Sequence, residues 1–120
     1  LPTEVPMKSF IANMGNSCMI TAAFAKNDYS LLARSLNDVI VEPARSKLIK
    51  GFYEVKKAAL DAGADGMTIS GSGSTVFAIT NDGSKAKKIE KAMVEAFSKV
   101  DVRSKSIVTE MDPEGTRLVK

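Results

Sequence analysis

The sequence predicts an α+β domain in which helices pack on one face of an antiparallel sheet. Two short β-prone runs, 66–70 and 75–80, stand on either side of a loop of small residues, as expected for a hairpin. The segments before and after this hairpin carry apolar residues at helical spacing. A third β-prone run, 102–110, follows the last helical segment. Helices, strand, strand, helix and strand in this order are typical of the α+β class.

The first part of the chain is predicted to be helical. Residues 7–26 repeat apolar side chains at helical spacing, which predicts a first helix with one buried face. Asp28 can cap a second helix over 29–38. Pro43 suits the first turn of a short third helix. The predicted buried face of the first helix consists of Phe10, Met14, Cys18, Ala22 and Ala25.

Two longer amphipathic segments lie on either side of the hairpin. Residues 48–62 predict the helix before it, with a pause at Gly51 and with Gly63 as a suitable C-cap. Asp82 or Ser84 can cap the helix after it, which is predicted to end near Lys99. The predicted buried residues of these helices are Leu48, Phe52, Val55, Ala59 and Ala62, then Ala86, Ile89, Met93, Ala96 and Val100.

The C-terminal part is predicted to add a strand over 102–110 and a short returning strand over 116–119. With one further strand before Leu1, the order becomes a split βαββαβ sandwich, the ferredoxin-like arrangement. The first strand is central in that sheet, so a domain without it would expose two strand edges. We therefore expect this chain either to borrow a strand from its own C-terminus or to pair with a second copy as a homodimer.

The composition indicates one small globular domain covering residues 1–120, with 44% hydrophobic and 26% charged residues. No apolar run approaches the ~20 residues that cross a bilayer, and no signal peptide is visible, so we expect no membrane partner. A net charge of +3 without aromatic interleaving argues against nucleic acid. Cys18 is the only cysteine, which indicates a reducing cytoplasm and a half-buried structural position.

The chain contains no histidine, so it lacks the commonest general base and the commonest transition-metal ligand. It also lacks a Cys-x-x-Cys pair and a carboxylate cluster with metal spacing. We therefore expect no catalytic residue and no metal site here. Any contribution to an enzyme would come from binding and positioning.

The most informative motif is the loop formed by Ser70, Gly71, Ser72 and Gly73. Glycines permit positive φ and close approach of another surface, and successive N–H groups in such a loop can bind an anion. A P-loop would continue with a lysine and a helix, whereas this loop leads into a strand. It is therefore no stand-alone nucleotide site, and a hairpin that merely turns the sheet is the alternative interpretation.

Longer runs around this loop resemble a known family. Residues 48–64 and 66–73, with the Glu-Pro-Ala-Arg run that ends at Arg45, resemble the homoserine kinase family of GHMP small-molecule kinases. The resemblance covers about 1–80 and weakens beyond, and the glycine loop is similar to the family's third conserved motif. The family usually has proline after the second glycine, where this chain has Ser74.

The resemblance implies roles for both features of the site. Arg45 would grip the carboxylate of the substrate, L-homoserine, which suits a guanidinium because it binds carboxylates in a bidentate, oriented way. The alternative is an internal ion pair between Arg45 and Glu42, three residues earlier. The loop 70–73 would lie beside the phosphate loop of an N-terminal domain and line the substrate end of the cleft.

The resemblance also implies a C-terminal domain of a cytoplasmic enzyme, or a plastid-stroma enzyme in a plant. That enzyme would phosphorylate L-homoserine with ATP and Mg²⁺, giving O-phospho-L-homoserine in threonine biosynthesis. The family's first two motifs have no counterpart in this chain, so we expect the N-terminal ATP-binding domain to be absent. We expect the 120 residues alone to be inactive and to bind neither ATP nor Mg²⁺.

Two other interpretations stay open. One is a free-standing ferredoxin-like module, dimeric, that binds a small ligand or regulates another protein. The other is the C-terminal domain of a GHMP kinase for mevalonate-type or sugar substrates, against which Arg45 and its Pro-x-Arg context argue.

Overall fold

The computed structural model describes residues 1–118, and this part of the chain folds into five α-helices and one two-stranded antiparallel sheet. The predicted α+β class is confirmed. None of the helices in this range is long and apolar enough to cross a membrane. The elements in chain order are α1 (Met7–Lys26), α2 (Tyr29–Ser35), α3 (Val41–Arg45), α4 (Phe52–Asp61), β1 (Gly66–Ile69), β2 (Val76–Ile79) and α5 (Gly83–Lys99).

The hairpin and the two long C-terminal helices share one hydrophobic core. In the hairpin register, Met67 pairs with Ala78 and Ile69 with Val76, and these alternate residues pack against the core. Their neighbour Thr68 points the other way, as the period of a strand requires. The helices α4 and α5 thus cover one face of the sheet. The other core residues are Ile49, Phe52, Val55, Ala59, Ala62, Ala64, Ile89, Ala96 and Phe97.

The N-caps of α2 and α5 follow the sequence prediction, whereas the C-cap of α4 is Ala62 rather than the predicted Gly63. The side chains of Asp28 and Asp82 accept backbone N–H groups at the starts of α2 and α5. The second helix ends at Ser35, before the predicted end at residue 38. The reason is that Asp38 accepts the backbone N–H groups that open α3, and so it belongs to the start of the next helix.

The helix predicted over 48–62 forms, but it starts later, at Phe52. Residues Ser46–Leu48 form a separate 3₁₀ turn, and Gly51, with φ of 77°, interrupts the chain before α4. Leu48 is 82% exposed, so its predicted place in the core is wrong. The turn directs its side chain away from the face that α4 buries.

The helix α1 forms as predicted, but its predicted buried face is wrong. Phe10 and Met14 are each 47% exposed, and Cys18 is exposed rather than half-buried. The side of α1 that meets the domain carries Asn13 and Asn16 instead, whose amides donate hydrogen bonds to the segment before α3. Because α1 packs chiefly against the short α2, its apolar stripe has no cover among residues 1–118.

The strands predicted at 102–110 and 116–119 do not form within the described residues. Residues 103–110 make no backbone hydrogen bond to another described segment, and Ile107 is 87% exposed. A strand requires a neighbouring strand to pair its N–H and C=O groups, and no described strand pairs with this run. Val119 lies outside the described residues. The sheet therefore borrows no strand from residues 102–118, whereas pairing with a second copy stays a prediction.

Candidate functional site

The two features that the sequence singles out meet on one surface. Arg45 ends α3, and the loop 70–73 joins β1 to β2. The Nη1 group of Arg45 donates a hydrogen bond to the carbonyl oxygen of Gly71 at 3.0 Å. Every residue of the loop is exposed rather than packed in the core. An exposed small-residue loop next to a guanidinium can receive both a ligand and a second protein surface.

Two glycines shape the loop. Gly71 and Gly73 have φ values of 59° and 84°, which side-chain-bearing residues rarely adopt. The Ser70 N–H donates to the Thr75 carbonyl at 2.9 Å, which closes the bend. A Cβ at Gly71 would meet nothing within 4 Å, whereas one at Gly73 would lie 3.2 Å from Ile49 Cδ1. Gly73 therefore faces its own domain, and Gly71 faces the open surface.

Three backbone N–H groups in and next to the loop are unpaired. The N–H groups of Gly71, Ser72 and Ser74 have no hydrogen-bond partner among residues 1–118. The N–H group of Gly73, between them, donates to the Ser70 carbonyl at 3.1 Å. Only Gly71 and Ser72 therefore offer adjacent free donors, an arrangement suited to an anionic oxygen. The loop therefore offers a small set of donors beside a fixed positive charge.

A buried carboxylate lies at the other end of α3. Glu42 is 6% exposed, and its Oε1 accepts from Lys56 Nζ of α4 at 2.5 Å. Its Oε2 accepts from Thr68 Oγ1 of β1 at 2.9 Å. A buried charge is tolerated when it is paired and hydrogen-bonded, as here. The ion pair between Glu42 and Arg45, which the sequence left open, is not formed.

The start of α3 is held by a second carboxylate. Asp38 accepts from the backbone N–H groups of Ile40, Val41 and Glu42 at 2.9, 2.8 and 3.0 Å, and from the Asn13 amide at 2.7 Å. Burial alone would raise the pKa of Asp38, but these hydrogen bonds together lower the pKa below its ordinary value. The lowered pKa keeps the carboxylate ionised, which favours the cap.

Sequence reasoning found Arg45 and the loop, but it missed Glu42, Lys56 and Thr68 as a group. Lys56 belongs to a basic stretch that looks like a solvated face, and Thr68 looks like any strand residue. The one signal in the sequence was that Glu42 precedes a proline at the start of a helix. The burial of Glu42 depends on α4 and β1, which lie far along the chain.

The donor set at this surface decides which ligands fit. No group of three or more His, Cys, Asp or Glu residues that could hold a metal ion occurs within residues 1–118. The loop also lacks the lysine of a P-loop. These residues therefore do not fit ATP or Mg²⁺ by themselves. A carboxylate fits Arg45, because a guanidinium can offer it two parallel N–H groups.

Comparison with known proteins identifies the family to which this fold belongs. Residues 20–99 match the family model described as "GHMP kinases C terminal". The chain therefore belongs to the GHMP kinase family and corresponds to its C-terminal domain.

The chain is similar to several homoserine kinases. The chain is 42% identical to that of Chloroherpeton thalassium over 120 residues, covering 99% of this chain and 38% of the relative. It is 45% identical to that of Arabidopsis thaliana over 121 residues, covering 99% of this chain and 33% of the relative. The crystal structure of homoserine kinase from Cytophaga hutchinsonii matches with a TM-score of 0.80 at 48% identity, covering 84% of this chain and 32% of that one. The chain thus spans about a third of the length of these relatives.

Proposed function

We propose that this chain is the substrate-side domain of a homoserine kinase. The whole enzyme would transfer the γ-phosphoryl group of ATP to the hydroxyl group of L-homoserine and form O-phospho-L-homoserine, a step of threonine biosynthesis. The observation that carries the proposal is the contact between Arg45 and Gly71, since it joins the carboxylate-binding candidate to the glycine loop in a member of this family.

Arg45 would bind the carboxylate of L-homoserine. Its guanidinium has five N–H donors, of which one is directed at Gly71, and the others have no partner among residues 1–118. Two of these can hold a carboxylate in one orientation. The hydroxyl group at the other end of the substrate would then extend away from Arg45. Phosphoryl transfer depends largely on positioning, so orienting the substrate is the contribution of this domain.

The partner of the loop would be the N-terminal domain of the same parent chain. Gly71 leaves room for a second backbone to approach, and the neighbouring N–H groups could meet an anionic oxygen at the junction. The uncovered apolar stripe of α1 supports a second protein surface in the parent. ATP and Mg²⁺ would be held by that remainder, and the enzyme would work in the cytoplasm or, in a plant, the plastid stroma.

The test is a coupled ADP-release assay on the full-length protein, comparing L-homoserine with other small alcohols. Arg45→Lys keeps the charge but loses the planar fork, so we expect KM for L-homoserine to rise about tenfold or more, with KM for ATP little changed. Arg34→Lys, on an exposed position of α2, is the matched control.

Two outcomes would contradict the proposal. Unchanged KM and kcat for L-homoserine in Arg45→Lys would remove the carboxylate-binding role. Phosphorylation of a sugar or mevalonate-type alcohol in preference to L-homoserine would assign the parent to another GHMP kinase.

A further inference from the structure

The helix α3 is attached to the hairpin at two points. Glu42, near its start, bonds to Thr68, and Arg45, at its end, bonds to Gly71; each contact joins residues 26 apart in the sequence. Side chains three residues apart on a helix point to the same side. The helix therefore runs alongside β1 and the loop, with two contacts in parallel.

The two contacts differ in their environment. The side chain of Glu42 is 8% exposed and that of Lys56 is 22% exposed, so water has little access to the first contact. Lys56 also balances the charge of Glu42, and charge-assisted hydrogen bonds in such surroundings are strong. The contact between Arg45 and Gly71 lies at the surface, where a ligand can reach the remaining N–H groups of the guanidinium.

A helix as short as α3 does not hold its own orientation. Its five residues are far fewer than the roughly 12–15 that an isolated helix needs. Its start is capped by Asp38, and Glu42 supplies the buried side-chain contacts to α4 and β1. The place of the Arg45 guanidinium therefore depends on where Glu42 fixes the helix.

We propose that Glu42 is a positioning residue for the substrate carboxylate. By binding Lys56 and Thr68, it would hold α3 so that the guanidinium of Arg45 faces the glycine loop and the ligand together. This inference rests on the proposed role of Arg45, and it adds a residue that touches no substrate.

The test is a double-mutant cycle in the full-length enzyme with Glu42→Gln and Arg45→Ala. Glu42→Gln keeps the shape and removes the charge, and we expect KM for L-homoserine to rise about fivefold. KM for ATP should change by less than about twofold. In the Arg45→Ala background, Glu42→Gln should cause no further rise in KM, because its effect passes through the guanidinium.

A second variant covers the case in which Glu42→Gln folds poorly, since it leaves Lys56 without its ion pair. Thr68→Val removes only the hydrogen bond to β1 and keeps that ion pair, and it should also raise KM for L-homoserine. Thr109→Val, at an exposed position outside this network, is the matched control and should leave KM unchanged.

The outcomes separate the two proposals. Suppose that Arg45→Ala raises KM for L-homoserine and that Glu42→Gln raises it further in that background. The positioning role of Glu42 is then overturned while the role of Arg45 stands. The same conclusion follows if both Glu42→Gln and Thr68→Val leave KM unchanged. If Arg45→Ala itself leaves KM unchanged, the carboxylate-binding role fails, and the positioning role fails with it.

Discussion

Asp38 decides where α3 begins. Its carboxylate accepts three successive backbone N–H groups that would otherwise lack partners at the start of the helix. It also accepts from the amide of Asn13, which joins α1 to the same point. One carboxylate therefore fixes both the start of the site helix and the attachment of α1.

The lowered pKa of Asp38 predicts a pH dependence of stability. The unfolded state binds a proton at a higher pH than the folded state, so the contribution of Asp38 is complete above about pH 4 and is lost as pH falls through the folded-state pKa. At pH 7, Asp38→Ala should lower the free energy of unfolding by about 1 kcal/mol. Urea unfolding of the wild type and variant at several pH values would measure the difference.

The control for this prediction is Asp38→Asn, which keeps an acceptor oxygen and removes the titrating group. The free energy of unfolding of Asp38→Asn should therefore lack the decrease at low pH that protonation of Asp38 causes in the wild type. Curves for wild type and Asp38→Ala that stay parallel down to low pH would contradict the prediction.

Individual residues differ in how far the sequence reveals them. Arg45 stands out in the sequence because it ends a short Glu-Pro-Ala-Arg run that resembles a family pattern, and a guanidinium is suited to a carboxylate ligand. Glu42 does not, because its burial is created by Lys56 and Thr68, whose side chains reach it only in the folded chain. A local sequence pattern can mark a residue type that is suited to a ligand. It does not show which charged side chains become buried, because burial depends on residues far along the chain.

Among the elements, the hairpin loop gives the sharpest prediction. Alanine at Gly71 would adopt an unfavourable φ of 59°, and its Cβ would project into open space. If a second domain lies there, Gly71→Ala should lower kcat/KM about tenfold or more, because small displacements at such a junction are costly. The assay is ADP release from L-homoserine by the full-length enzyme.

Gly115→Ala is a matched control for Gly71→Ala. Gly115 has φ of 72° and also has nothing within 4 Å of an added Cβ, so the backbone cost is similar. The two variants should lose similar amounts of stability, while Gly115→Ala keeps its activity. Equal activity of the two variants would count against a close neighbour at Gly71.

The elements also show where periodicity succeeds and fails. Apolar spacing correctly predicted α1, α4 and α5, because a 3.6-residue period identifies a helix wherever its apolar face lies. It misplaced the face of α1, since Phe10 and Met14 are exposed and Asn13 faces the domain. The run 102–110 has strand propensity, but propensity cannot supply the neighbouring backbone that a strand needs.

At the scale of the whole molecule, the chain is less compact than its length suggests. Its radius of gyration is 15.3 Å, against about 14 Å for a compact domain of this size. The apolar stripe on α1 and the exposed residues near Ile107 are apolar surfaces that a compact domain would bury. These surfaces fit a chain that spans about a third of its relatives.

We propose that ATP is bound by the remainder of the parent protein, so the 120 residues alone should release no ADP above the enzyme-free rate. They lack a P-loop lysine and a histidine, and no three-residue metal-ligand cluster occurs within residues 1–118. The full-length protein under the same conditions is the positive control. If the isolated chain released ADP in a way that depends on L-homoserine, the proposal that the remainder of the parent binds ATP would be wrong.

The two sides of α1 differ in what they contact. Asn13 and Asn16 fasten the helix to its own domain, so replacing them would loosen the domain itself. Phe10 and Met14 contribute little to that attachment, so polar residues there would be tolerated by the isolated chain. A survey of substitutions scored only by whether these 120 residues fold would therefore report the constraint on Asn13 and Asn16, and it would not test whether Phe10 and Met14 contact another protein surface.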